Sequence, residues 1–259
     1  MRFALSVPPF TDPATIVSLA RQAEANGWDG FFLWDHLRFE LDLDVHDAWV
    51  LLGAIASQTS RIRIGTMITP LSRRRPWVIA KHLTTLDHLS GGRVTLGVGL
   101  GEPPQRDFAD LGDEASPTVR AAMLDEGLEV LAGLLAGDRV DFHGAHLDVA
   151  AGLRPPPIQR PRIPIWVGGV APHRRPLERA RRWDGFIPIA DSPFLRPDDL
   201  ASYVGPHPRD GWDLVAQWPD GISPDDFAAA GATWLVKSVW PGDEGWLGEL
   251  QALASTPPA

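Results

Sequence analysis

The chain of 259 residues contains no cysteine. Disulfides, thiolate nucleophiles and thiolate metal sites are therefore excluded, and a reducing compartment fits. Lysine is nearly absent, with only Lys81 and Lys237. Chemistry that runs through a Schiff-base lysine has little to work with. No apolar run approaches the roughly 18–20 residues of a membrane span. The opening MRFALSVPPF is too short and too proline-rich for a secretory signal, so a cytoplasmic protein with no membrane partner is expected. The formal charge of −9 argues against nucleic acid as a partner. Histidines are few and badly spaced for a metal. His82 and His88 stand six apart on a helical stretch, and His143 and His146 have no evident third ligand, so no metal site is expected.

What is present is a regular beat. Short β-rich runs at Phe3–Val7, Gly30–Trp34, Ile62–Ile68, Val94–Val98, Ile163–Val167, Gly185–Ile189, Trp212–Gln217 and Thr233–Val239 alternate with helical segments. Several of these runs are apolar without alternation, as in a parallel sheet buried on both faces. Alternating strand and helix imply right-handed crossovers. Eight such units in one chain of this length predict an α/β fold, a closed (β/α)8 TIM barrel spanning 1–259 as a single domain. Helix starts support the beat. Asp12-Pro13, Ser116-Pro117 and Ser223-Pro224 each place a capping residue before proline, and Asn26-Gly27 ends the first helix.

One interval is long. About 65 residues part the fourth and fifth strands, which predicts an insertion between them. It holds a loop over 103–115, a helix, and RVDFHGAHLDV, which reads as a hairpin turning at His143-Gly144. A proline-rich connector follows. Inserts at the active face of a barrel often serve as lids or substrate walls. Eleven tryptophans suit either a filled barrel or an apolar pocket, and composition does not choose between them.

Ligands in such folds sit at the carboxyl ends of strands. That rule selects candidates. Asp35-His36 follows the second strand, and an imidazole there can take or give a proton near neutral pH; the alternative is a packed, inert histidine. Glu102 follows GVGLG after the fourth strand and is either a general acid or a cap. Those glycines let a ligand approach the backbone closely, and their spacing is not that of a dinucleotide fingerprint. Gly168-Gly169 before the helical stretch 172–183 is either an anion site or a tight turn that needs glycine. Ala190 and Asp191 after the sixth strand supply a second wall. Arg73–Arg75 is either a solvated face or a grip on phosphate or carboxylate.

Four stretches together resemble the bacterial luciferase-like family of flavin- and deazaflavin-dependent oxidoreductases. They are GWDGFFLWDH, IRIGTMITPLSRRRPWVIAKHLTTLDHLSGGRVTLGVGLG, RVDFHGAHLDV, and IPIWVGG with RRWDGFIP, in the family's order. The resemblance implies reduced FMN or the deazaflavin coenzyme F-420 (F420) at the carboxyl face. It implies that the cofactor ring lies over a bulge of the third strand near Thr66, Met67 and Ile68, often with a non-prolyl cis peptide. It places cofactor phosphate at Gly168-Gly169 and the residues after the sixth strand, with Asp35 beside the cofactor. By the same resemblance His36 is the base and Glu102 the acid of hydride transfer to or from a small organic substrate. Glu102 favours the deazaflavin mode over monooxygenation, in which a flavin reductase would supply electrons. A homodimer through the helices near 47–58 and 77–89 is also implied. The chain departs from the family by compressing the segment between the seventh and eighth strands into Pro219–Gly231. Two rival readings stay open: a non-catalytic flavin-binding relative, and a phosphate-binding barrel lyase or isomerase.

Overall fold

The computed structural model describes residues 1–190 and 194–258. All eight candidate strands form, and they close into one parallel barrel. Its strands are β1 (Arg2–Val7), β2 (Gly30–Leu33), β3 (Arg63–Pro70), β4 (Val94–Gly99), β7 (Ile165–Ala171), β8 (Gly185–Ala190), β9 (Asp213–Gln217) and β10 (Trp234–Ser238), with β1 pairing to both β2 and β10. The remaining pair, β5 (Val140–His143) and β6 (Asp148–Ala151), forms the expected antiparallel hairpin in the insert between β4 and β7. Among the described residues no helix is long and apolar enough to cross a membrane.

Of the three expected caps, Asp12 and Ser223 accept amide hydrogen bonds, while the Ser116 side chain makes no cap bond. Asp12 accepts a hydrogen bond from the Thr15 amide at the head of α1 (Pro13–Ala25), with proline in the first turn, where no N–H is needed. Asp47 does the same for Val50 in α2 (Ala48–Gln58). After β3, α3 spans Pro76–Ser90. In the insert, the short turn α4 (Pro104–Asp107) precedes α5 (Pro117–Ala136), and Glu126 of α5 accepts the backbone amides of Ala145, His146 and Leu147, which ties down the hairpin turn. The sequence suggested a helix over 172–183. The strand instead continues to Ala171, and α6 is only Arg174–Ala180. The remaining helices are α7 (Pro197–Val204), α8 (Pro224–Ala229) in the compressed segment, and α9 (Trp246–Ala254).

Strand alternation sorts the core into two layers. Ala4, Phe32, Trp166, Ile187, Val215, Trp234 and Val236 fill the barrel interior, while Leu5, Val7, Phe31, Leu33 and their like face the helices. Trp166 and Trp234 lie 5.3 Å apart with Phe32 against both, so these tryptophans are barrel filling. Arg93 joins β4 to its neighbours from outside. Its guanidinium donates to the carbonyls of Ala56, Thr59 and Ile62, and so satisfies the end of α2.

Candidate active site

The carboxyl ends of the strands meet at a departure from regular pairing. The register of β3 on β4 shifts between Thr66 and Thr69, and the Met67–Ile68 peptide is cis. Both features fall where the family resemblance put them. A bulge leaves ladder groups without strand partners. Here hydroxyls fill the gap: the Thr66 hydroxyl donates to the Gly97 carbonyl at 3.2 Å, and Thr69 Oγ1 lies 2.9 Å from Thr66 Oγ1 and 2.8 Å from Asp35 Oδ2. The bulge needs room on the neighbouring strands. A Cβ on Gly97 would fall 2.4 Å from the Thr66 carbonyl oxygen, and one on Gly168 would fall 3.1 Å from Ile68. Gly97 therefore admits the β3 backbone, while Gly99 and Gly101 make room for the side chains of Ile68 and Pro70. Gly169 has a steric reason too, since its Cβ would meet Pro176 of α6 at 2.1 Å.

Met67 and Ile68 pack on the interior layer, and Met67 lines a cleft at the mouth with Trp34, Ile187, Ile189, Val215 and Val236, rimmed by Ser6, Gln217 and Ser238. The enclosed part measures about 130 Å³. The Trp34 indole N–H donates to Ser6 Oγ at 2.9 Å, so the wall it presents is the ring.

His36 stands beside this wall, half-buried, its ring 6.1 Å from that of Trp34 and 5.1 Å from that of Phe39. Its Nδ1 lies 3.2 Å from Oδ2 of Asp107, a residue the sequence reading passed over as loop. Asp107 is fully buried and accepts the Leu37 and Arg38 amides at 2.8 and 3.0 Å and Arg73 Nη1 at 2.6 Å. Burial alone would raise its carboxyl. The His36 hydrogen bond, the Arg73 charge and the Arg38 amide outweigh it and bring the pKa down to about 2. An ionised carboxylate only accepts, so Nδ1 carries a proton, and in the neutral ring Nε2 presents its lone pair. One signal for Asp107 was readable: its neighbour Phe108 is an aromatic residue in a polar loop. That ring is buried between the Arg73 and Arg120 guanidinium groups, at 5.4 and 4.3 Å, and pulls Asp107 inward.

Asp35 is buried beneath. It receives Trp49 Nε1 at 3.0 Å, Thr69 at 2.8 Å and Arg74 Nη2 at 2.6 Å, while Arg73 Nη2 donates to its carbonyl at 2.5 Å. Two of the three arginines after β3 are thus internal ion-pair partners and not the solvated face or free anion grip the sequence left open; Arg75 lies over the Trp77 ring. Glu102 stands at the surface of the same mouth, with protein on one side. That partial burial raises its carboxyl above the usual range, opposed by Arg120. Among the described residues it has no hydrogen-bond partner and is not joined to His36. Ala190 pairs with Ala171 at the end of β8, and Asp191 lies outside the described residues. Among the described residues no cluster of three or more potential ligands could hold a metal.

These features define a (β/α)8-barrel protein with an apolar mouth cleft and an anchored histidine at its edge. The profile of the luciferase-like monooxygenase family matches residues 1–198, and the chain belongs to that family. An uncharacterised protein of Mycobacterium tuberculosis (strain ATCC 25618 / H37Rv) is 30% identical over 237 residues, covering 83% of this chain and 82% of its own. An F420-dependent glucose-6-phosphate dehydrogenase of Segniliparus rotundus is 34% identical over 182 residues, covering 68% of this chain and 53% of its own. Among solved structures, the F420-dependent tetrahydromethanopterin reductase of Methanopyrus kandleri superposes with a TM-score of 0.76 at 20% identity, covering 98% and 97% of the two chains, which shows the shared fold.

Proposed function

We propose that the chain is an oxidoreductase that binds F420 or FMN at the mouth cleft and moves a substrate proton through His36. The observation that carries this reading is the Asp107–His36 pair, which fixes the imidazole beside the cleft with Nε2 free. The cleft fits a flat ring: its floor is apolar, from Met67, Ile187, Val215 and Val236, and its rim offers Ser6, Gln217 and Ser238 for polar edges. Its enclosed part is smaller than the roughly 300 Å³ of common small-molecule pockets. The ring would then lie partly in the open mouth that the compressed segment between β9 and β10 leaves. Gly168, Gly169 and Ala190 border the same mouth and would receive the cofactor tail.

The bound cofactor would supply the two-electron chemistry. The protein's part follows from its own groups. His36 Nε2 accepts a proton from a substrate hydroxyl, or returns one when the reaction runs the other way. Asp107 holds the tautomer and stabilises the imidazolium once it forms. Arg73 ties Asp107 to the Asp35 carbonyl, so the DH segment and the loop after β4 move as one. Glu102, with its raised carboxyl, would serve as a second proton carrier at the mouth. That favours hydride transfer with the deazaflavin. A lysine-dependent lyase finds no support, because Lys237 is paired with Asp220 and Lys81 donates to the Arg154 carbonyl.

Fluorescence titration with FMN, FMNH2 and F420 tests the cofactor assignment. Binding of F420 alone would establish the deazaflavin mode, and binding of none would refute the reading. With cofactor bound, His36→Ala is expected to lower turnover about 10²–10⁴-fold, the usual span for a general acid–base. Unchanged turnover would remove His36 from the mechanism and favour the non-catalytic alternative.

A further inference from the structure

We propose that the substrate is an uncharged ring-bearing molecule with a single reacting hydroxyl or carbonyl, stacked on an aromatic wall around His36, and not a phosphorylated sugar. This rests on the reading that His36 serves the reaction at the mouth.

The wall is built from Phe10, Trp34, Phe39 and Trp240. Phe10 and Phe39 lie 4.9 Å apart, Phe39 and Trp240 5.4 Å, and Trp34 and Trp240 6.2 Å. His36 is the polar member of the group. Phe10 and Phe39 are buried, but Trp240 is 45% exposed. A large indole left open against Trp34 and Phe39, the rings that also flank His36, offers a stacking face, since aromatic pairs gain from offset or edge contact beyond simple burial. Trp34 cannot hydrogen-bond a substrate without giving up Ser6.

Most of the arginines in the loops around His36 are already paired. Arg73 and Arg74 neutralise Asp107 and Asp35. Arg38 pairs with Asp110, Arg106 donates to the Phe39 carbonyl, and Arg120 donates to the Leu100 and Gly101 carbonyls. A phosphate dianion is normally gripped by several charge-assisted donors, commonly a bidentate arginine. Among the described residues of the loops after β2, β3 and β4, only Arg75 has no carboxylate or carbonyl partner, and it rests on Trp77. The wall and the paired arginines of these loops point the same way.

Binding to the protein, with and without F420, tests this by saturation-transfer NMR and calorimetry. Benzyl alcohol and glucose 6-phosphate are the probes, and Trp240→Ala is the variant, chosen because a half-exposed side chain can be removed without loss of the fold. Saturable binding of benzyl alcohol is expected, weakened tenfold or more in Trp240→Ala, with cofactor affinity unchanged. Glucose 6-phosphate binding tighter than benzyl alcohol, or benzyl alcohol binding indifferent to Trp240→Ala, would overturn the proposal. Failure of every cofactor to bind would instead strike the underlying function, and the two probes would still be ranked on the cofactor-free protein.

Discussion

Asp107 concentrates the residue-scale argument. One buried carboxylate holds His36, two amides of the DH segment and Arg73. Removing one partner of a buried pair leaves the other charge uncompensated, at a cost of about 3–5 kcal/mol. Asp107→Asn is therefore expected to lose stability of that order at neutral pH, read from denaturant melts. The folded-state pKa lies below the ordinary carboxylate value, so the ionised form is what folding favours. The contribution is complete above the unfolded value near 4 and is lost as pH falls toward about 2. Wild type and variant should converge across that window; a difference that persists at pH 2 would contradict the assignment. Glu102 shifts the other way. If it carries a proton, the pH–rate profile should show a limb above the usual carboxylate range, and Glu102→Gln should remove that limb while leaving cofactor affinity intact. The reason Asp107 escaped the sequence reading is physical. Its partners are 34 and 71 residues away, and no local pattern records such a contact.

At the scale of elements, the strand ends explain what the sequence made legible. Apolar runs such as GFFL and VTLGVG marked β2 and β4 because both faces of a barrel strand are buried. The β3 bulge was legible only through the family resemblance, since nothing in RIGTMITP alone signals a shifted register. The glycine-rich end of β4 was read as room for a ligand, whereas much of that room is taken by β3 itself. Gly97→Ala separates these uses. Its added methyl must displace the Thr66 carbonyl, and overpacking of this kind costs about 1–3 kcal/mol. Cofactor affinity should fall with stability, because the floor of the cleft moves. A variant that binds cofactor normally and melts like wild type would show that β3 does not depend on the cradle. The Arg73–Arg74 run was ambiguous for a related reason: adjacent arginines look alike in sequence, and only the fold decides which meet buried carboxylates.

The whole molecule joins a closed, filled barrel to an apolar cleft at the carboxyl ends of its strands. Interior filling by Trp166, Trp234 and Phe32 closes the barrel below the mouth cleft. A ligand that binds the folded state alone stabilises it by about 2.7 kcal/mol at a hundred times its Kd. For a chain of this size that corresponds to a rise of roughly 5–10 °C in melting temperature. The correct cofactor among FMN, FMNH2 and F420 should produce that rise. The most direct test of the cleft as the cofactor site places a bulky ring in it from the rim. Ser238 is exposed at the cleft edge, so Ser238→Trp should fill the opening without disturbing the core. Fluorescence titration should show the wild-type protein binding the cofactor and Ser238→Trp binding it at least tenfold more weakly, with His36→Ala close to wild type. Equal affinity in Ser238→Trp and wild type would place the cofactor elsewhere and contradict the account.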